Sequence, residues 1–444
     1  MQTDALSLKN INKLAIPALI AGVSEPLLSL TDAAVVGNVD LNPTESLAAV
    51  GIVSTFLSML IWVLGQTRSA ISSILSQAYG SNNLESVKNL PAQAIVIITS
   101  LGLLIIAISY PLSNHIFQFY NAENLVLDYT IDYYKIRVFG FPFTLFVIAV
   151  FGVFRGLQNT YYPMLIAIIG AVLNVVLDIV LVNGIPNLIE AYHIKGAAYA
   201  SVISQAIMAF LALLFMYKKT PIRLKLELPF NPKIKDFIYM ILNLFVRTLA
   251  LNAALYFATS YATSYGANYI AAYTIAINLW FLGAFIIDGY ASAGNILSGK
   301  LYGQKDYNGL LILSEKLIKY GIIVGLILAT IGFITYQYVG LIFTKATNVL
   351  QEFNDVYWLV LAMQPIAALA FIFDGMFKGL GKMKYLRNVL LGSTFLVFLP
   401  TLMLFDYFNF KLHAIFIAFT LWMIARGLPL IFKFRQDFKP LITQ

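Results

Sequence analysis

Three observations predict an all-α integral membrane fold: twelve transmembrane helices in two six-helix lobes related by a pseudo-twofold axis along the membrane normal. The first is composition. The 444 residues are 60% hydrophobic and only 11% charged, against about 25% charged in an ordinary soluble domain. The second is the recurrence of apolar runs, at 11–37, 47–77, 91–117, 129–156, 163–182, 195–217, 236–262, 270–298, 310–340, 353–379, 385–405 and 412–433. About 20 residues at 1.5 Å each cross a roughly 30 Å hydrocarbon core, so each run suffices for one spanning helix and the longer ones tilt or extend beyond the lipid. Strand-like alternation, the mark of a membrane barrel, is absent from them. The third is an internal repeat. At a constant offset of 223, Leu47-Ala48-Ala49 faces Ile270-Ala271-Ala272, Tyr79-Gly80 faces Tyr302-Gly303, Pro142 faces Pro365, and Gly152-Val153-Phe154-Arg155-Gly156-Leu157 faces Gly375-Met376-Phe377-Lys378-Gly379-Leu380. Six spans per half is an even number, so both halves enter from the same side, with a cavity expected between them. The boundaries that follow are an N-terminal lobe at 1–216, a cytoplasmic linker at 217–235 containing Pro221, Pro229 and Pro232, and a C-terminal lobe at 236–444.

Taken in order, the first span is the most unusual, because it carries Glu25 and Asp32 inside an apolar run. Seven residues is close to two helical turns, so both acids project from one face roughly 10 Å apart. A carboxyl group at mid-membrane costs roughly 3 kcal/mol even on lenient insertion scales, so such a pair faces protein or water. Pro26 removes the backbone bond to Gly22 and makes a bend between the acids. The fourth span opens near Tyr133. The fifth carries Asn174 and Asp178, whose i, i+4 spacing puts them on one face, and the sixth carries Ser201, Ser204 and Gln205. In the second half, Arg247 lies in the seventh span, Asp288 in the eighth and Asp374 in the tenth.

Each of these residues also has a plainer reading. Asp32 and Asp178 can lock helices together by hydrogen bonding, Glu25 can accept local bonds, and Arg247, Asp288 and Asp374 can balance one another's charge. The Arg155-Gly156-Leu157 and Lys378-Gly379-Leu380 corners read as helix ends at the cytoplasmic surface.

Lysine and arginine set the orientation. Of the 29 basic residues, Lys195, Lys345 and Lys411 alone fall in odd-numbered linkers, and Arg68, Lys135, Arg137 and Arg247 fall within spans. The remainder lie in even-numbered linkers, at the termini, or in the stretches of the spans that adjoin them, which makes both termini cytoplasmic. The net charge of +8 therefore reads as membrane topology, not as nucleic-acid binding. The polar first residues run straight into a full-length span without a cleavable signal pattern, which fits a multi-pass protein of the cell inner membrane. There are no cysteines, and His115, His193 and His413 are too scattered for a metal site. No nucleotide-binding loop, HExxH or GxSxG motif in its required setting is present, so the chain reads as no enzyme, and uphill transport would draw on an ion gradient.

Glu25-Pro26-Leu27-Leu28-Ser29-Leu30-Thr31-Asp32 with Val36-Gly37, Leu173-Asn174-Val175-Val176-Leu177-Asp178, Arg247-Thr248-Leu249 and Asp374-Gly375 before Lys378-Gly379-Leu380 carry a family resemblance. Across essentially its whole length the chain resembles the multidrug and toxic compound extrusion (MATE) transporters, in their DinF-like branch. It has Asn38 where that family often has His. The resemblance implies a two-lobed bundle, monomeric among membrane lipids, that exports small organic molecules, cationic or aromatic, in exchange for H+ or Na+, with no resident cofactor. It implies Asp32, Tyr133, Asn174 and Asp178 as an ion-coupling cluster joined by Glu25 and Ser201, with Asp32, Asn174 and Asp178 able to hold sodium. Arg247, Asp288 and Asp374 become the polar, substrate-facing set of the second lobe. The alternative is a lipid-linked oligosaccharide flippase of the same superfamily. Its anionic cargo calls for many intramembrane bases, whereas here the acids outnumber what Arg247 can pair, which favours cationic or neutral cargo.

Overall fold

A computed structural model describes residues 6–37, 42–185, 187–188 and 190–441, except the side chains at 24–27, 29 and 30. Among the described residues the chain forms twelve long helices. The first half holds α1 (Leu8–Val36), α2 (Pro43–Gly80), α3 (Leu84–Ser109), α4 (Asn124–Gly156), α5 (Tyr161–Asn183) and α6 (His193–Lys219). The second holds α7 (Ile234–Ser264), α8 (Ala267–Gly303), α9 (Tyr307–Ile334), α10 (Thr347–Gly379), α11 (Met383–Tyr407) and α12 (Leu412–Phe438). By length and composition α2 to α12 are each able to cross a membrane, and α1 adds 29 helical residues. A chain in hydrocarbon has no water to satisfy its backbone, so each span takes up the one local structure that bonds every amide internally.

Polar breaks and prolines set the helix ends. The expected run 91–117 is divided: α3 stops at Ser109, two residues before Pro111, and a short helix, Ser113–Phe119, follows. The run 310–340 likewise stops at Ile334, with a separate turn at Tyr336–Val339. At the start of α9, Asp306 caps the first turn, its Oδ1 accepting from Gly309 N at 2.8 Å.

The chain packs as two compact units. The N-terminal unit holds Ile20–Leu75 and Asn83–Ile238; the C-terminal unit holds residues up to Leu19, Ser76–Asn82 and Tyr239 onward. In the N-terminal unit α2 and α4 cross with their backbones in contact: a Cβ at Gly152 would lie 2.8 Å from the Arg68 carbonyl oxygen. In the C-terminal unit α8 and α10 cross in the same way, and a Cβ at Gly375 would lie 2.0 Å from the Ala291 oxygen. Both partners are 223 residues apart in sequence, so the repeat read from the motifs is a repeat of helix crossings. Lipid gives two apolar helices little reason to associate, so close approach on small residues supplies the dispersion contacts. Leu103, Leu104 and Ile108 on α3, and Ile323, Leu326, Ile327 and Ile331 on α9, form exposed apolar stripes suited to acyl chains.

Candidate functional site

Each unit buries a cluster of charged side chains. In the N-terminal unit, three helices each aim a pair of side chains spaced i, i+4 toward Asp32 of α1: Tyr133 and Arg137 from α4, Asn174 and Asp178 from α5, Ser201 and Gln205 from α6. Asp32 is 1% exposed, and Asn174, Asp178 and Ser201 are fully buried. The Tyr133 hydroxyl donates to Asp32 Oδ2 at 2.7 Å. Ser201 Oγ lies 2.8 Å from the same oxygen and 3.1 Å from Oδ1. Asn174 Nδ2 donates to Oδ1 at 3.3 Å. A carboxylate supplied with donors in this way is held in a fixed rotamer and keeps its charge solvated by protein.

Asp178 is the contrasting member. It lies within electrostatic range of Asp32, yet neither of its buried oxygens accepts a hydrogen bond from the described residues. Arg137 is buried alongside, with Nε 3.9 Å from Asp32 Oδ2 and Nη1 donating to Gln205 Oε1 at 2.9 Å. Gly140 makes room for that pair, since a Cβ there would fall 1.9 Å from Gln205 Oε1. With both carboxyl groups ionised, two acids and one guanidinium leave one negative charge in excess. Unpaired acceptor oxygens beside that excess are what a proton or a hard cation needs.

The C-terminal unit reverses the sign. Arg247 of α7 pairs with Asp374 Oδ1 of α10, and Lys378, one turn on, holds Oδ2 at 2.9 Å. Arg426 of α12 is 3% exposed and lies within electrostatic range of both Arg247 and Asp374. Its guanidinium stands 4.7 Å from the Trp422 ring centroid and 5.5 Å from that of Phe371. One acid thus pairs with two bases and has a third nearby.

Asp32, Tyr133, Asn174, Asp178 and Ser201, which the sequence singles out, sit together; of the second set, Arg247, Asp288 and Asp374, the first and last meet. Asp288 does not join them: it is exposed on α8 and makes no hydrogen bond or ion pair with the described residues. The Glu25 and Pro26 side chains lie outside the described residues. Arg137, Lys378 and Arg426 were passed over as sites. Lys378 was read as a surface helix end, but its side chain is only 15% exposed because it bonds Asp374. The expectation that acids outnumber the bases able to pair them therefore fails in this unit. Among the described residues no group of three or more His, Cys, Asp and Glu is placed to hold a metal ion.

Compared with known proteins, the chain matches the MatE family over residues 17–180 and 241–403, one stretch in each half. It is 26% identical over 432 residues to the DNA damage-inducible protein F of Escherichia coli (strain K12), covering 96% of this chain and 92% of that protein. To the multidrug resistance protein NorM of Vibrio vulnificus (strain CMCP6) it is 27% identical over 406 residues, covering 88% and 86%. The solved structure of a MATE protein in the bent conformation superposes with a TM-score of 0.90 over 98% of this chain and 96% of that one, at 21% identity, a likeness of fold.

Proposed function

The chain belongs to the MatE family of multidrug-efflux membrane transporters, and from that premise we propose that it is a secondary active antiporter exporting organic compounds, cationic or aromatic, in exchange for H+ or Na+. In this reading it lies in the inner membrane with both termini cytoplasmic, as the lysine and arginine distribution favours. The observation that carries the coupling is the pair of buried carboxyl groups, Asp32 furnished with donors and Asp178 with none.

Asp178 is the acceptor of the incoming ion. A proton there bridges toward Asp32; sodium there finds oxygen ligands in Asp32, Asp178 and Asn174 Oδ1, which is buried and without a donor among the described residues. Either ion cancels the single excess charge beside Arg137. Neutralisation removes the repulsion that keeps the two carboxyl groups apart and changes which arrangement of α1 against α4, α5 and α6 is lowest in energy. Only a group whose charge changes can give substrate affinity that depends on the ion. Tyr133 and Ser201 hold the Asp32 carboxylate while its neighbour is loaded and unloaded.

The test is ethidium transport in proteoliposomes with proton and sodium gradients imposed separately. The wild type accumulates ethidium under one of the two gradients, whereas Asp32→Asn loses that dependence. Full gradient-driven transport by Asp32→Asn would remove Asp32 from the coupling path.

A further inference from the structure

The bases of the C-terminal unit exceed what their one acid can serve. Asp374 has two oxygens, and each is already engaged, Oδ1 by Arg247 and Oδ2 by Lys378. Arg426 is left with no oxygen of that carboxylate. Among the described residues its guanidinium bonds only the Met423 thioether, at 3.7 Å, and sulfur is a weak acceptor. The faces of the guanidinium are covered by Trp422 and Phe371, which favours the cation but leaves its N–H edge undersupplied. Arg247 is 5% exposed and its Nε is likewise buried without an acceptor. Three bases and one acid carry two uncompensated positive charges in a segment that spans a membrane, where an unmatched charge is costly. Among the described residues, the charged groups that act on Asp374 from the helices packed around it are Arg247, Lys378 and Arg426.

We propose that Arg247, Lys378 and Arg426 form a binding site for an oxyanion, whose carboxylate or phosphate oxygens meet the free guanidinium edges of Arg426 and Arg247. Guanidinium suits this ligand because its donors lie in one plane at the spacing of two oxygens on one centre. The ligand is either a free inorganic anion or the acid group of an organic compound. In the second case the transporter accepts cargo bearing an acid as well as a cationic or aromatic part. The proposal does not rest on the coupling role of Asp32, which lies in the other unit.

The experiment is thermal unfolding of the purified full-length protein in detergent, titrated with inorganic phosphate or with benzoate. A bulky sulfonate buffer holds ionic strength and pH constant. A saturable rise in melting temperature is expected for the wild type and equally for Lys195→Ala, which breaks a half-exposed ion pair of the other unit. The midpoint should move at least tenfold higher in Arg426→Gln and return part of the way in Arg426→Lys. Lys378→Gln is the second variant, should Arg426→Gln not fold. A shift with phosphate alone identifies a free inorganic anion; a shift with benzoate identifies the acid group of an organic ligand. No saturable shift with either anion, or an unchanged midpoint in the folded Arg426→Gln or Lys378→Gln protein, overturns the proposal.

Discussion

In the N-terminal unit two carboxyl groups share one guanidinium, while in the C-terminal unit one carboxylate is shared by two bases with a third beside them. The two clusters do not occupy matching places in the repeat. At the offset of 223, Tyr133 and Arg137 correspond to Val356 and Val360, and Asp374 corresponds to Phe151. The glycine crossings, in contrast, do match, Gly152 on Arg68 and Gly375 on Ala291. The duplicated part is thus the packing, and the chemistry differs between the halves. Packing depends on which backbones touch and tolerates few residues there; a polar cluster needs only a buried place where three or four side chains converge, and each half has built one elsewhere.

That contrast can be broken in several places. The largest effect belongs to Asp32→Asn, since the hydrogen bonds that the carboxylate collects are worth about 1.5–3 kcal/mol each when charged. Ion-driven transport should fall about 100-fold or more, on the scale of roughly 1.4 kcal/mol per tenfold, in proteoliposomes containing equal amounts of folded protein. Next come the crossings. Gly375→Ala should lower thermal stability more than Gly152→Ala, because its Cβ meets a carbonyl oxygen at 2.0 Å instead of 2.8 Å. Overpacking costs about 1–3 kcal/mol, readable as a drop in melting temperature. Equal tolerance of alanine at both would show that the crossings are looser than drawn. Tyr133→Phe removes one donor from Asp32 and leaves Ser201 and Asn174, so a roughly tenfold loss of transport is expected. The smallest effect is at Lys195, whose ion pair with Asp132 at 3.0 Å joins the same two helices as Arg137 and Gln205 but is about half exposed. Exposed pairs contribute about 0–1 kcal/mol, so Lys195→Ala should change transport less than twofold.

Much of this was legible in the amino-acid sequence because lipid makes demands that composition records. Twelve apolar runs became twelve helices, and the polar residues stranded in the first, fourth, fifth and sixth, Asp32, Tyr133, Asn174, Asp178 and Ser201, converged on one another. Helix ends were read less well, as at Ser109 and Ile334, because an apolar run continues through a turn that a proline or a polar group enforces. Arg137 stands inside the fourth span beside Tyr133, and that intramembrane position is itself a signal of a buried partner. Lys378 and Arg426 are hidden for another reason: a base toward the cytoplasmic end of a span is what an interfacial anchor looks like, and sequence does not separate a side chain that reaches outward from one that folds back onto a buried acid. Only the position of Asp374 relative to α7 and α12 makes the difference. Asp288 shows the converse, an acid within a span that meets none of the polar groups with which it was read.

The central claim is that one ion neutralises a single excess negative charge shared by Asp32, Asp178 and Arg137. Counting the ions exchanged per ethidium molecule, by finding the opposing gradient at which net flux through wild-type proteoliposomes stops, tests it most directly. One proton or one sodium ion per ethidium is the expected value. A count of two or more, or flux indifferent to both gradients, would contradict it.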